Sequence, residues 1–324
     1  MTKQRAIVTG SAGFIGSHAT EALIDAGWSV MGLDSLDPYY DVALKKRNLD
    51  EIARRADGSF EFVDADITSP SQMQSAFNRF RPDAVLHLAA RAGVRPSIQN
   101  PAGYAVTNVV GTQNVLDAAK GSGCKRIICA SSSSVYGNNP KTPFAEIDRI
   151  DAPISPYAAT KKASELIAFT HHHLTGANVG MLRFFTVFGP RQRPDLAIRL
   201  FLSRIAQGEQ IHLFGDGSTS RDYTYVQDIV AGVLAALDRI DSFGYRVWNL
   251  GGDHPVSLGE LVEIVGEVAG KTPIIERRPM QPGDVQRTWA DLTRAREELG
   301  YAPGTSVPDG VRAQFEWMRA NGDV

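Results

Sequence analysis

Seven short runs of β-branched and other apolar residues mark the first 250 positions: Ala6–Thr9, Ser29–Asp34, Phe60–Asp64, Ala84–Leu88, Arg126–Ala130, Val179–Phe185 and Val247–Leu250. Between them Ser17–Ala26, Thr107–Lys120 and Tyr157–Leu174 carry apolar residues at three- and four-residue spacing, as helices packed on a sheet must. Strands alternating with helices predict an α/β fold built on a doubly wound parallel sheet of about seven strands. After Phe185 the texture changes to loops punctuated by Gly and Pro, namely Gly189-Pro190-Arg191, Gly215-Asp216-Gly217 and Arg278-Pro279-Met280-Gln281-Pro282-Gly283. A smaller mixed α/β domain is expected there, while Gln227–Arg239 and the strand at Val247 return to the first sheet. The expected division is 1–186 plus about 227–252 for the larger domain, and about 187–226 with 253–324 for the smaller one. There is no internal repeat and no low-complexity tract.

Composition narrows the partners. The 324 residues carry 34 Lys+Arg against 36 Asp+Glu, a formal net charge of −2, without a basic block. That argues against nucleic acid or a membrane surface as partner. Apolar stretches are broken well short of the ~18–20 residues a membrane helix needs, and Met-Thr-Lys-Gln-Arg leads straight into the first strand, so no signal peptide is expected. Cys124 and Cys129, the only cysteines, lack metal-site spacing and suit a reducing cytoplasm. His171-His172-His173 is no metal site either, because consecutive helix residues diverge; they read as the wet end of a helix. Trp28, Trp248, Trp289 and Trp317 are scattered and read as packing, and Cys129 as a small core residue.

The first candidate chemistry lies between the first strand and first helix. Thr9-Gly10-Ser11-Ala12-Gly13-Phe14-Ile15-Gly16 sets three glycines at three-residue spacing, which makes a tight turn and lets the backbone approach a pyrophosphate at a helix N-terminus. The second strand ends at Asp34, about 20 residues on, where a carboxylate receives an adenosine ribose hydroxyl. Together these predict a Rossmann-type domain holding NAD, since an acid there repels a 2′-phosphate. Asp66, after the third strand, is a candidate to face the adenine, the alternative being simple solvation.

Tyr157-Ala158-Ala159-Thr160-Lys161 follows Ser155-Pro156, a helix start. The i,i+4 spacing puts Tyr157 and Lys161 on one face, where an ammonium can lower the phenol's pKa and make it a general base. The fifth strand runs into Ser131-Ser132-Ser133-Ser134-Val135-Tyr136-Gly137, which supplies a hydroxyl to share the proton.

These motifs, with His87-Leu88-Ala89-Ala90, resemble in order and over nearly the whole chain the extended short-chain dehydrogenase/reductase family of nucleotide-sugar epimerases and dehydratases. The resemblance implies Tyr157 as base, Lys161 on the nicotinamide ribose, and Ser132 on the reacting sugar hydroxyl. It implies Gly10, Gly13, Phe14, Ile15, Gly16, Asp34, Asp66, Ile67, Leu88, Ala89, Ala90, Asn108 and Phe184 around NAD, Asn108 being partly structural. Family dehydratases resemble Thr-Asp-Glu at the serine run, and the related UDP-glucuronate decarboxylases carry a Glu where Ser134 stands. Ser133 and Ser134 supply no such acid–base pair, which leaves reversible oxidation and reduction at C4: 4-epimerisation of a UDP-sugar.

The sugar end resembles UDP-glucuronate 4-epimerases most, through Leu33–Val42 and Arg183-Phe184-Phe185-Thr186-Val187-Phe188-Gly189-Pro190…Arg193-Pro194-Asp195. Conversion of UDP-glucuronate to UDP-galacturonate is therefore expected, with UDP-glucose/UDP-galactose or UDP-N-acetylhexosamine epimerisation as alternatives, and a dehydratase or decarboxylase behind them. Substrate contacts are expected from Ser132, Ser133, Thr186, Arg193, Arg221 and Asp284, with Thr186 and Arg193 binding the C6 carboxylate; the alternative for Arg193 is a solvated loop arginine. The chain departs from the pattern at Arg191-Gln192, where close relatives often have Trp-Gly, and at Gln227, where an Asp is usual. It departs again at Gln281, whose counterpart is often Arg, leaving Arg278 as a possible substitute. The resemblance also implies a homodimer through the helices at Thr107–Lys120 and Tyr157–Leu174. A non-catalytic NAD-sensing module is disfavoured by the intact Ser132, Tyr157 and Lys161.

Overall fold

A computed structural model describes residues 3–280 and 285–324. The strands are β1 Arg5–Thr9, β2 Ser29–Asp34, β3 Phe60–Asp64, β4 Ala84–His87, β5 Arg126–Ser132, β6 Asn178–Phe184, β7 Thr186–Phe188, β8 Gln210–Phe214, β9 Ser220–Tyr225, β10 Tyr245–Leu250, β11 Pro255–Ser257 and β12 Ile274–Arg278. The helices are α1 Phe14–Asp25, α2 Val42–Arg55, α3 Pro70–Phe80, α4 Val94–Gln99, α5 Pro101–Ala105, α6 Gly111–Ser122, α7 Pro156–Thr175, α8 Ala197–Gln207, α9 Val226–Arg239, α10 Leu258–Ala269, α11 Thr293–Leu299 and α12 Val307–Ala320.

Seven parallel strands form one sheet in the order β10-β6-β5-β4-β1-β2-β3. All seven runs predicted from the sequence are in it, each within two residues of its expected ends. Their continuous apolarity has a simple cause: neighbours in a strand face opposite layers. Val8, Leu86, Ile128 and Leu182 face the layer of α1 and α9, whereas Ile7, Val85, Ile127 and Met181 face Phe77, Leu116 and Ala168 on α3, α6 and α7. As expected, α9 and β10 return to this sheet after the first small strands, β10 pairing with β6. The strand order reverses beside β1, so a crevice opens at the carboxyl ends of β1 and β4, the usual ligand site of an open α/β sheet.

The rest of the chain has its own core of Phe188, Ile198, Leu202, Ile211, Val262, Val311 and Met318, with small sheets in the orders β11-β9-β7 and β12-β8. Those five short strands were not foreseen. The helix expected at Thr107–Lys120 is also interrupted: Val106–Val110 forms a π turn before α6 begins at Gly111. The wider turn leaves the Asn108 carbonyl accepting from Thr112 Oγ1 at 2.6 Å and Ser164 Oγ at 2.9 Å, fixing that segment to α7. His171 is not wet. It continues the buried row Ser164 and Ala168 on α7, and burial lowers its pKa. Trp28 and Trp248 are core residues; Cys124 and Cys129 are buried and free.

Beneath the ends of β5 and β6 lies a buried polar network. Arg183 on β6 donates through Nε and Nη2 to the two oxygens of Glu165 on α7, at 2.8 and 2.9 Å, and Ser131 Oγ donates to the same carboxylate at 2.7 Å. Arg183 Nη1 donates to the Tyr136 hydroxyl at 2.9 Å, which donates to Asn249 Oδ1 on β10 at 2.7 Å. Removing one partner leaves an uncompensated buried charge, so Glu165→Ala is expected to destabilise the fold by about 3–5 kcal/mol. Urea unfolding measures this; a loss under about 1 kcal/mol would show the pair to be dispensable.

Candidate active site

The crevice is a cleft of about 440 Å³ reaching from the β1–α1 loop to the start of α7. Gly10 has φ +75°, and a Cβ there would lie 2.8 Å from the Ala89 backbone nitrogen, so both the turn and the close approach of the β4 loop require glycine. Gly13 caps α1, whose N-terminus opens onto the cleft. Phe14, Ile15, Gly16, Asp66, Ile67, Leu88, Ala89, Ala90 and Phe184 line the same space. Asp34 ends β2 facing the cleft, its carboxylate accepting from Ala12 N at 3.2 Å and Leu36 N at 2.9 Å, with Lys45 Nζ 3.5 Å away. Phosphate-facing amides at one end and a ribose-facing carboxylate at the other suit a dinucleotide such as NAD.

Asn108 sits behind the wall rather than in it. Its side chain pairs with the backbone of Arg91, accepting at 2.8 Å and donating at 2.9 Å, and donates to Thr160 Oγ1 at 3.0 Å, thereby holding the β4 loop against α7. His87 is held between Thr9 Oγ1 and Thr112 Oγ1 at 2.8 and 3.0 Å, and burial lowers its pKa to about 3, so it is a neutral tie.

Ser132, Tyr157 and Lys161 converge on this cleft. Ser132 ends β5, and its Oγ accepts from Ser134 N at 3.2 Å. Ser155 caps α7 by accepting from Ala158 N at 3.1 Å, and Pro156 opens the helix, which fixes where Tyr157 emerges. Burial raises the Tyr157 pKa, against which a hydrogen bond to Ser132 and the charge of Arg193 act. Lys161 Nζ donates to the Ala130 carbonyl at 2.9 Å, and burial lowers its pKa to about 8 while the Glu165 carboxylate supports its charge. Lys161 lines the same cleft as Tyr157 and gives one of its three N–H groups to Ala130, while the charge of Arg193 also acts to lower the Tyr157 pKa.

A smaller pocket of about 140 Å³ adjoins, lined by Ser133, Ser134, Ser155, Thr186, Arg221 and Thr288 among others. Thr186 lines both spaces and Arg193 the larger one, so among the described residues Ser132, Ser133, Thr186, Arg193 and Arg221 line two adjoining pockets. Arg221 Nη1 donates to the Ser220 carbonyl at 2.9 Å. Asp284 and Gln281 lie outside the described residues. Arg278 is paired with Glu276 at 3.0 Å at the end of β12 and lines neither pocket. Arg191 and Gln192 also line neither pocket. Arg191 is buried against Glu21 of α1 and Glu51 of α2, and Gln192 donates to Val187 O at 3.0 Å and accepts from Gln314 at 2.9 Å. Gln227 lies 3.2 Å from His18 Nδ1, whose Nε2 is 3.0 Å from the Pro190 carbonyl; burial lowers the His18 pKa to about 4. Both departures in this region therefore support the loop from behind.

Several lining residues carried no assigned role in the sequence: Asp37, Tyr39, Tyr40, Lys45, Arg91 and Tyr104. Arg91 Nη2 donates to Asp37 at 2.9 Å, joining the loops after β4 and β2 at the cleft. The paired tyrosines after β2 were the available signal.

Residues 7–314 match the family model described as GDP-mannose 4,6 dehydratase. The chain is 41% identical over 317 residues to a UDP-glucuronate 4-epimerase of Thermodesulfobacterium geofontis, covering 97% of this chain and 96% of that one. A crystal structure of the UDP-glucuronic acid 4-epimerase of Bacillus cereus with UDP-glucuronic acid and NAD superposes with a TM-score of 0.92 at 32% identity, over 98% of this chain and 100% of that one. The UDP-glucose 4-epimerase of Thermotoga maritima with UDP-glucose gives 0.87 at 33%, over 98% and 99%. A family model spanning most of the chain, together with full-length relatives at this identity, establishes that the chain belongs to this family of short-chain dehydrogenase/reductase-type nucleotide-sugar enzymes.

Proposed function

We propose that the chain is an NAD-dependent 4-epimerase that interconverts UDP-glucuronate and UDP-galacturonate. The observation that carries the reading is the convergence of Ser132, Tyr157, Thr186 and Arg193 on one cleft, beside a pocket in which Ser133 and Ser134 stand where a dehydratase needs an acid and a base. No carboxyl side chain lines that smaller pocket among the described residues. The family model's dehydratase description therefore does not transfer to the reaction.

When bound, NAD supplies the acceptor and returning donor of the hydride at C4. Gly10, Gly13 and the α1 N-terminus hold its pyrophosphate, Asp34 its adenosine ribose, and Lys161 its nicotinamide ribose. Tyr157 accepts the proton of the 4-hydroxyl and returns it after the ketone has turned over, while Ser132 shares that proton by hydrogen bonding. The 4-keto uronic acid is a β-keto acid and loses CO₂ readily. Thr186 and Arg193 bind its carboxylate and keep its negative charge localised, which opposes decarboxylation. A neutral hexose needs no such cation, and this favours UDP-glucuronate over UDP-glucose.

We further infer a homodimer, in line with the exposed apolar face formed by Val106 and Val110 on the π turn and Leu166 and Phe169 on α7, each about half exposed. Sedimentation at micromolar concentration is expected to give twice the chain mass; a monomer would contradict it. A cytoplasmic setting fits two buried free thiols and the absence, among the described residues, of a helix able to cross a membrane.

Tyr157→Phe is expected to retain NAD and lose epimerisation by about 10²–10⁴-fold, followed by NMR with UDP-glucuronate. Near wild-type turnover would remove Tyr157 as the base. A UDP-pentose or free 4-keto sugar as the wild-type enzyme's main product would remove the epimerase reading.

A further inference from the structure

Arg193 reaches the cleft already engaged. Its Nε and Nη2 donate to the two oxygens of Asp195 at 2.9 and 2.7 Å, and Nη1 donates to the Ala92 carbonyl at 3.3 Å. The guanidinium lies 5.1 Å from the Tyr39 ring centroid. The Arg193 side chain is 15% exposed and that of Asp195 is 40%. A carboxylate two residues along the same loop thus holds the two-point donor geometry that a sugar carboxylate requires.

We propose that Asp195 tunes the affinity for a UDP-uronate, as an internal carboxylate that caps Arg193 and with which the sugar carboxylate competes. The inference rests on Arg193 receiving the sugar carboxylate. Its physical basis is charge balance. Without Asp195, Arg193 would present an uncompensated, mostly buried cation that a uronate would hold tightly; with it, a uronate must first displace a satisfied ion pair, while a neutral hexose gains nothing from the guanidinium in either case. A uronate exchanges one carboxylate for another on the same fork. The displaced Asp195, being partly exposed, regains water, so the exchange carries a small penalty in either direction. Substrate recognition is thereby made reversible: the product's carboxylate is released as Asp195 returns to Arg193, which suits an enzyme whose substrate and product carry the same charge. Tyr39 lines the cleft and packs its ring under the Arg193 guanidinium, which ties the exchange to the loop after β2.

The test is calorimetric binding of UDP-glucuronate and UDP-glucose to NAD-loaded wild type, Asp195→Asn, Arg193→Ala and the double variant. Asn keeps the shape of Asp195 and one acceptor while removing the competing charge. Asp195→Asn is expected to bind UDP-glucuronate about five- to tenfold more tightly, with UDP-glucose unchanged within about twofold, and the gain should vanish in the Arg193→Ala background. Steady-state turnover adds a second readout: kcat with UDP-glucuronate should fall as product release slows. Weaker or unchanged UDP-glucuronate binding in Asp195→Asn, an equal gain for both sugars, or a gain that survives Arg193→Ala would overturn the proposal. If Arg193→Ala weakens UDP-glucuronate selectively while Asp195→Asn tightens nothing, the proposal alone fails. If Arg193→Ala affects both sugars alike, the uronate reading fails and takes the proposal with it.

Discussion

The ion pair between Glu165 and Arg183 ties α7, the helix of Tyr157 and Lys161, to the sheet at whose ends the cleft opens. Glu165 lies one turn beyond Lys161 on α7, Arg183 precedes Phe184 at the end of β6, and Ser131, bonded to the same carboxylate, precedes Ser132 at the end of β5. The three elements that present Ser132, Phe184, Tyr157 and Lys161 are thus cross-linked next to or one turn from those side chains. Both ions are buried, so each depends on the other and on the hydroxyls of Ser131 and Tyr136 for its remaining hydrogen bonds. Such a network stabilises little beyond what a well-packed apolar core would. Its effect is to fix the register of α7 against β5 and β6, and with it the separation of Ser132, Tyr157 and Lys161.

The electrostatics of the cleft follow from that frame. Burial raises the Tyr157 pKa and lowers that of Lys161, so both groups are moved toward their neutral forms. Two features oppose this: the Glu165 carboxylate beneath Lys161, and the Ser132 hydroxyl and Arg193 charge beside Tyr157. The second domain-like core contributes by carrying Arg193 on a loop whose back is held by Arg191 against α1 and α2. A chain with net charge −2 can therefore serve an anionic nucleotide sugar, because its cations are placed locally rather than in excess.

Much of this was legible in the sequence because the signals were local. Strands buried on both faces read as unbroken apolar runs, the glycine loop and Asp34 are separated by the length of one helix and one strand, and Tyr157 and Lys161 share a helix face at i,i+4. The five short strands after Phe185 were not legible: three-residue β7 and β11 are too short for a period, and β12 reads Ile-Ile-Glu-Arg-Arg. The π turn at Val106–Val110 was missed because its apolar spacing passes for an ordinary helix. The partners of known residues were hidden for another reason. That Lys161 aims at Ala130 and that Arg191 turns toward Glu21 and Glu51 depend on how side chains pack across elements distant in sequence, which no spacing rule contains.

The proposed 4-epimerisation requires transient oxidation at C4, with the hydride kept by one cofactor molecule throughout. UDP-glucuronate bearing deuterium at C4, incubated with the enzyme and followed by NMR, tests it most directly. Retention of deuterium at C4 of the UDP-galacturonate formed, without loss to water or to added NAD, is the predicted result. Protium at C4 of the product would contradict it.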